Sequence, residues 1–332
     1  MITRRALLQG LTVAGAAGVA APWSRLAAAE PPPEIRTLKL SKEPYACLAP
    51  QYIVDEFLAA EGFSGVERVE VGDSSASTLV AKGELHFELE AAPSALTLID
   101  AGEPLVALAG VHGGCYELFG TERVRSIRDL KGKTVAILAR GSGEHVLLSA
   151  MAAYVGLDPR RDITWASHPF EESARLLAEG KVDAYMAFPP EPQELRAKKI
   201  GRVIVNTTTD RPWSQHFCCM LLGNRQWVQK YPVATKRLLR AILKATDLCA
   251  REPDRVARDL VDKGYTTNLE YTNQTLRNVT YAKWRTDDPE ATLRFYALKL
   301  RDVGMIKATP QKILAQGTDW RFLNELKKEL KA

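Results

Sequence analysis

The chain has 332 residues, enough for two domains or one large one. Its hydrophobic share of 46% and charged share of 26% are globular values and exclude disordered, collagen-like and coiled-coil chains. The formal charge is +5, but Arg4, Arg5 and Arg25 fall in the first 29 residues with no acid beside them, so the remaining body is nearly neutral and offers no basic surface to nucleic acid.

The N-terminus reads Thr3-Arg4-Arg5-Ala6-Leu7-Leu8, then an apolar, Gly- and Ala-rich run from Leu11 to Ala21, then Ala27-Ala28-Ala29 and Pro31-Pro32-Pro33. A basic start, a short apolar core and small residues before a cleavage point predict a removable export signal over residues 1–29. The paired arginines resemble the twin-arginine type. The apolar run is about half of the ~20 residues that a spanning helix needs. The mature chain is therefore expected to begin near Glu30, in a bacterial periplasm or at the cell surface.

Short apolar runs then alternate with amphipathic ones. Strands are predicted at Ile35–Leu40, Val66–Val71, His86–Leu89 and Leu105–Val111. Helices are predicted between them at Tyr52–Ala60, Ala76–Ala81 and Ser94–Ala101, each followed within two residues by a glycine. The pattern restarts with strands at Thr134–Leu138, Ile163–Trp165, Val182–Phe188 and Arg202–Val205, separated by helices at Glu144–Tyr154 and Glu171–Ala178 and one ending near Lys199. A further strand, Phe217–Leu222, precedes a helical remainder that includes Trp227–Tyr231, Ala234–Ala250, Pro253–Val261 and Glu290–Val303. Alternating strands and helices predict an α/β fold with mostly parallel sheets.

In such sheets, ligands sit outside the carboxyl ends of the strands. The segments just after the strands are Glu43-Pro44-Tyr45, Asp73-Ser74-Ser75, Glu90-Ala91-Ala92, His112-Gly113-Gly114-Cys115, Arg140-Gly141-Ser142-Gly143 and Phe188-Pro189-Pro190-Glu191. From them Tyr45, Glu90, His112, Gly141, Ser142, Gly143, Phe188 and Glu191 are the candidate ligand-binding residues. Gly141-Ser142-Gly143 opens a helix, whose free amides and dipole suit an anion. It is neither a P-loop nor a dinucleotide fingerprint, and a plain Ser-capped helix is the competing reading.

Five cysteines, Cys47, Cys115, Cys218, Cys219 and Cys249, show no C-x-x-C or His/Cys spacing. They read as small buried hydrophobes, with neither metal nor cofactor expected. Because neighbours on a strand face opposite ways, Cys218 and Cys219 are expected to be poorly placed for joint metal binding. No catalytic constellation emerges. Gly-Gly beside His112 and Cys115 reads as a turn, and no Gly-x-Ser-x-Gly elbow is present. His145 and His216 are further ligand candidates of lower rank.

Four runs, taken in order, carry a resemblance. Gly83-Glu-Leu-His-Phe-Glu-Leu-Glu-Ala-Ala-Pro93 is followed by Ile99-Asp-Ala-Gly102-Glu-Pro104 and by Asp129-Leu-Lys-Gly-Lys-Thr134-Val with Gly141-Ser142 beyond it, and Gly180-Lys-Val-Asp183-Ala comes last. The chain resembles the substrate-binding proteins of ABC importers of the nitrate/sulfonate/taurine type. That resemblance implies a type II periplasmic-binding-protein fold, two α/β lobes with a hinge and a helical C-terminal part. Lobe one would be 34–119 plus 217–332 and lobe two 120–216, with crossings near Leu118–Thr121 and Trp213–Phe217. It further implies a monomer with a small polar or anionic organic ligand, an ABC permease with its ATPase subunits as partners, and no enzymatic activity. The same superfamily includes the thiamine-pyrimidine synthase, so a relic enzyme or a receptor for a thiamine-precursor pyrimidine is the alternative. Where that family usually has small or apolar residues after the third strand, this chain has Glu88 and Glu90 on one strand face. With Glu43, Glu144 and Glu191 on the same rim they would make an acidic cleft suited to a cationic or donor-rich ligand. Pairing of the two glutamates with bases of lobe one is the other reading.

Overall fold

The computed structural model describes residues 30–72 and 75–331. The predicted export signal, Asp73 and Ser74 lie outside the described residues. Ten strands follow in chain order: β1 (Thr37–Lys42), β2 (Gly65–Glu70), β3 (Phe87–Ala91), β4 (Leu105–Gly113), β5 (Glu117–Gly120), β6 (Lys133–Ile137), β7 (Ile163–Ser167), β8 (Ala184–Ala187), β9 (Arg202–Asn206) and β10 (Phe217–Asn224). They form two five-stranded sheets, ordered β2-β1-β3-β10-β4 and β7-β6-β8-β5-β9.

Both sheets have the same design. β1 runs parallel to β2 and β3, and β6 runs parallel to β7 and β8, as strands joined by crossover helices must. Each sheet is then completed by one strand of opposite sense. β10 lies antiparallel between β3 and β4, with Leu221 opposite Leu89 and Ala109. β5 lies antiparallel between β8 and β9, with Leu118 opposite Met186 and Val205. β4 and β10 are buried at every position, which accounts for their nearly continuous apolar sequence. These are the two lobes of a type II periplasmic-binding-protein fold.

One expected boundary moves. A crossing near Leu118–Thr121, with lobe one ending at 119, falls inside β5, all four residues of which pair within the second sheet. The chain therefore leaves the first sheet after Gly113 and enters the second at Glu117. β5 carries no alternation to announce it, because all four residues are buried. Its one acid, Glu117, is paired with Arg196. The return comes where β10 begins, at Phe217.

Helices pack against the first sheet, and C-terminal ones buttress β4. The Asp319 amide donates to the Ala107 carbonyl (2.9 Å), satisfying an outer group of the edge strand β4. The Tyr281 hydroxyl donates to the Cys47 carbonyl (3.0 Å) from a fully buried position. Helix Pro289–Asp302 packs against both Ala92–Asp100 of the first lobe and Gly143–Tyr154 of the second. The first helix opens at Ala49-Pro50-Gln51, ahead of the periodicity that begins at Tyr52, with Pro50 in its first turn, where a missing amide costs nothing.

Candidate functional site

The carboxyl ends of β1, β3, β6 and β8 converge on one cavity of about 260 Å³, at the small end of ligand pockets. β1 leads into Glu43 and Tyr45, β3 carries Glu88 and Glu90, β6 leads into Leu138 and Gly141–Glu144, and β8 leads into Phe188. Tyr116, in the crossing between sheets, completes the wall. Six of the eight candidate residues, Tyr45, Glu90, Gly141, Ser142, Gly143 and Phe188, line this one space.

Two carboxyl groups meet at one hydroxyl. Ser77, buried on helix Ala76–Lys82, hydrogen-bonds Glu88 and, at 2.6 Å, Glu90. A hydroxyl has one proton to give, so a carboxyl must supply the other. Burial, and next the neighbouring Glu90, hold the Glu88 carboxyl well above the usual carboxylate range, so Glu88 is the protonated partner. Burial also pushes Glu90 up, to about 7, against hydrogen bonds from Ser77 and the Ala91 amide that favour its charged form. Neither glutamate is in an ion pair among the described residues, so pairing with bases of lobe one is not what holds them. Glu43 is raised by burial as well. The lining holds four carboxyl side chains and, among the described residues, no Lys, Arg or His.

The helix start opposite is partly occupied by the chain's own acid. Glu144 Oε1 accepts from the Leu138 amide (2.8 Å) and lies 2.6 Å from Ser142 Oγ, which is also 2.5 Å from the Ala139 carbonyl. Ser142 is the N-cap residue of helix Gly143–Tyr154, but its hydroxyl makes no cap bond to that helix. Its contacts run to the Ala139 carbonyl and Glu144 instead, so the plain Ser-cap reading does not describe it. The amides of the first helical turn have no intrahelical acceptor, as at any helix start. Gly141 turns the loop with φ +90°, a conformation that a residue with a side chain rarely adopts.

Aromatic rings cover the cleft. Tyr45 and Phe188 meet edge-on with centroids 5.0 Å apart, and Tyr116 lies 4.8 Å from Phe188. Glu191 sits behind Phe188 rather than in the lining. Its Oε2 accepts from Tyr185 Oη (2.5 Å) and the Phe188 amide (3.0 Å), which fixes the loop that carries the ring. Burial raises Glu191 to about 7 in spite of those bonds. Burial, reinforced by the charges of Glu43 and Glu191, pushes the Tyr45 phenol up to about 12, so it remains a neutral donor.

Three histidines lie elsewhere. His112 is fully buried, edge-on to Tyr281 at 5.5 Å, and is not in the lining. His145 Nδ1 accepts from the Gly141 amide (3.0 Å), and burial lowers the ring to about 4. His216 stacks on Phe295 at 4.0 Å and is likewise lowered to about 4 by burial. Sequence reasoning missed two residues that shape the site. Tyr116 lines the cavity and follows Gly113-Gly114-Cys115 in the crossing, and Ser77, which holds the lining glutamates, is the second residue of a helix that only the fold aims at β3.

Strand alternation also misleads at Cys218-Cys219. The ladder between β10 and β4 shifts register between Phe217 and Cys219 and again before Met220, and the two sulfurs lie 4.0 Å apart instead of on opposite faces.

The fold is that of the nitrate-binding protein NrtA from Synechocystis, matched with a TM-score of 0.73 over 91% of this chain and 90% of that one at 17% identity. In sequence, the chain is 28% identical over 100 residues to the bicarbonate-binding protein CmpA of Synechococcus elongatus, which is 30% of this chain and 22% of that protein. It is 26% identical over 208 residues to the nitrate import ATP-binding protein NrtC of Synechocystis, 56% of this chain and 31% of that protein. The chain thus spans about a fifth to a third of the length of these curated relatives. Residues 49–261 match the NMT1-like family, more than half of the chain, and the chain belongs to that family.

Proposed function

We propose that this protein is the ligand-capturing component of an ABC import system. It would work as a monomer in the periplasm and pass a small organic molecule to a permease driven by ATPase subunits. Two features support this: a cavity lined by both lobes at the carboxyl ends of their strands, and similarity to proteins named for binding nitrate or bicarbonate. The predicted signal over residues 1–29 supports export. The lining residues suit binding and no reaction step is assigned to them.

The ligand class follows from one observation, that among the described residues four carboxyl side chains and no cation line the cavity. A bare oxyanion would face Glu90 and Glu144 with only helix amides and hydroxyls to hold it. A small, flat molecule with a cationic or donor-rich part fits better. Its donors meet Glu90, its faces meet Tyr45 and Phe188, and any acceptor it carries reaches the amides at Gly143. A thermal-shift screen of oxyanions, sulfonates, aminopyrimidines, small aromatic acids and guanidinium compounds tests this. A ligand at 100 times its Kd stabilises the native state by about 2.7 kcal/mol. Stabilisation by guanidinium or amino-heterocyclic compounds is expected, and stabilisation by oxyanions alone would overturn the ligand class.

A further inference from the structure

Behind the ligand cavity lies a second constellation that the binding function does not use. The donor atoms of His112, Cys115, Cys218 and Cys219 all lie within 4.8 Å of one another, and every one of these side chains is buried. We propose that these four residues hold one thiophilic metal ion, zinc(II) by donor set, which ties together the two chain crossings between the lobes.

The geometry is that of a closed site. Zinc takes four donors tetrahedrally at about 2.3 Å for sulfur and 2.0–2.1 Å for imidazole nitrogen, which sets neighbouring sulfurs about 3.8 Å apart. Cys218 and Cys219 sulfurs are 4.0 Å apart and Cys115 and Cys218 sulfurs 3.0 Å apart. A shift of under an ångström brings the second pair to the tetrahedral value. Three thiolates and one imidazole are a donor set that selects zinc among the common divalent ions.

His112 supplies the independent observation. Its Nδ1 lies 3.4 Å from the Gly113 carbonyl, and its Nε2 is buried with no hydrogen-bond partner. A buried imidazole nitrogen left unpaired is costly. Metal-bound histidines show this division of labour, with one nitrogen on a backbone carbonyl and the other on the ion.

Two local backbone features converge on the same point. The double register shift in β10 swings Cys218 and Cys219 together. On the other crossing, Gly114 has φ +38°, and a Cβ there would come within 2.4 Å of Thr208 Cα. That tight passage, open only to glycine, brings Cys115 beside His112. His112 is the penultimate residue of β4, Cys115 lies in the first crossing, and Cys218 and Cys219 follow Phe217 at the start of β10 after the second. The ion would hold the two crossings at fixed separation while the lobes move about them. Cys219 also lines the ligand cavity, so the ion would set part of its floor.

The test is metal analysis of the full chain, produced in zinc-containing medium and purified without chelator. One zinc per chain is expected, with near-complete loss in Cys115→Ser and Cys218→Ser and retention in Cys249→Ser, whose thiol is buried elsewhere. Because the first two variants risk misfolding, the wild-type protein is also stripped and reloaded with cobalt(II). Thiolate-to-cobalt charge-transfer absorption saturating at one equivalent is the expected result. A metal-free protein whose peptide map shows a Cys115–Cys218 disulfide would overturn the proposal. So would five titratable thiols that persist in excess zinc.

Discussion

Tyr45 and Phe188 touch edge-on at a centroid distance of 5.0 Å, although one follows β1 of the first sheet and the other follows β8 of the second. An aromatic pair of this kind is worth about 0.5–1.5 kcal/mol beyond its buried area. A flat ligand against the Phe188 face would make a contact of the same kind, so Phe188→Ala should weaken its affinity about 2- to 13-fold by calorimetry. The melting temperature should change little, because Phe188 is only half-buried.

Binding of a cationic ligand should strengthen with pH. Glu90 is raised to about 7, and a cation favours its ionised form, so binding expels a proton from the protonated carboxyl. Affinity should rise between pH 6 and 8, by at most about tenfold per pH unit for each coupled proton, and level off above. Glu90→Gln should weaken binding and flatten the profile. Affinity that falls over the same range would indicate a ligand held by the protonated acid instead.

Folding stability without ligand should run the other way. Glu90 and Glu191 have folded-state values raised to about 7 from 4.5, so the folded chain binds more protons than the unfolded one between those pH values. Their contribution is fully present below about 4.5 and is lost as pH rises through 7. Melting temperatures measured from pH 5 to 8 should fall in this interval. Glu191→Gln should reduce the slope while preserving the Tyr185 contact in altered form.

The loop before helix Gly143–Tyr154 separates two kinds of defect. Ser142→Ala removes one hydroxyl contact with the Ala139 carbonyl or Glu144 and should cost about 0.5–1.5 kcal/mol in urea denaturation. Gly141→Val forces a branched residue to φ +90° and should cost about 1–3 kcal/mol. Ligand affinity should suffer more in the second variant, since it displaces the loop that lines the cavity.

Export can be checked directly. Mass spectrometry of the secreted protein should give a mature start near Glu30, where Ala27 and Ala29 supply small residues before the prolines. Replacing Arg4-Arg5 with two lysines should block export. An intact Met1 on exported protein would contradict the signal.

What the amino-acid order determined by itself was largely one-dimensional. Periodicity marked nine of the ten strands to within a few residues. Because ligands collect at strand ends, the same pattern pointed to Tyr45, Glu90, Gly141, Ser142, Gly143 and Phe188 as neighbours in space. Strand alternation alone put Glu88 and Glu90 on one face. Pairing across the chain was decided only in three dimensions. β5 is short, buried on both faces and set by its antiparallel partners, so no local pattern reveals it. Ser77 meets Glu88 and Glu90 only because a helix packs over β3. The four sulfur and nitrogen donors around His112 come from two segments about a hundred residues apart, and a register shift in β10 overrides the alternation that spacing assumes. Local pattern reports which face of an element is buried. Which buried faces meet depends on the packing of the whole chain.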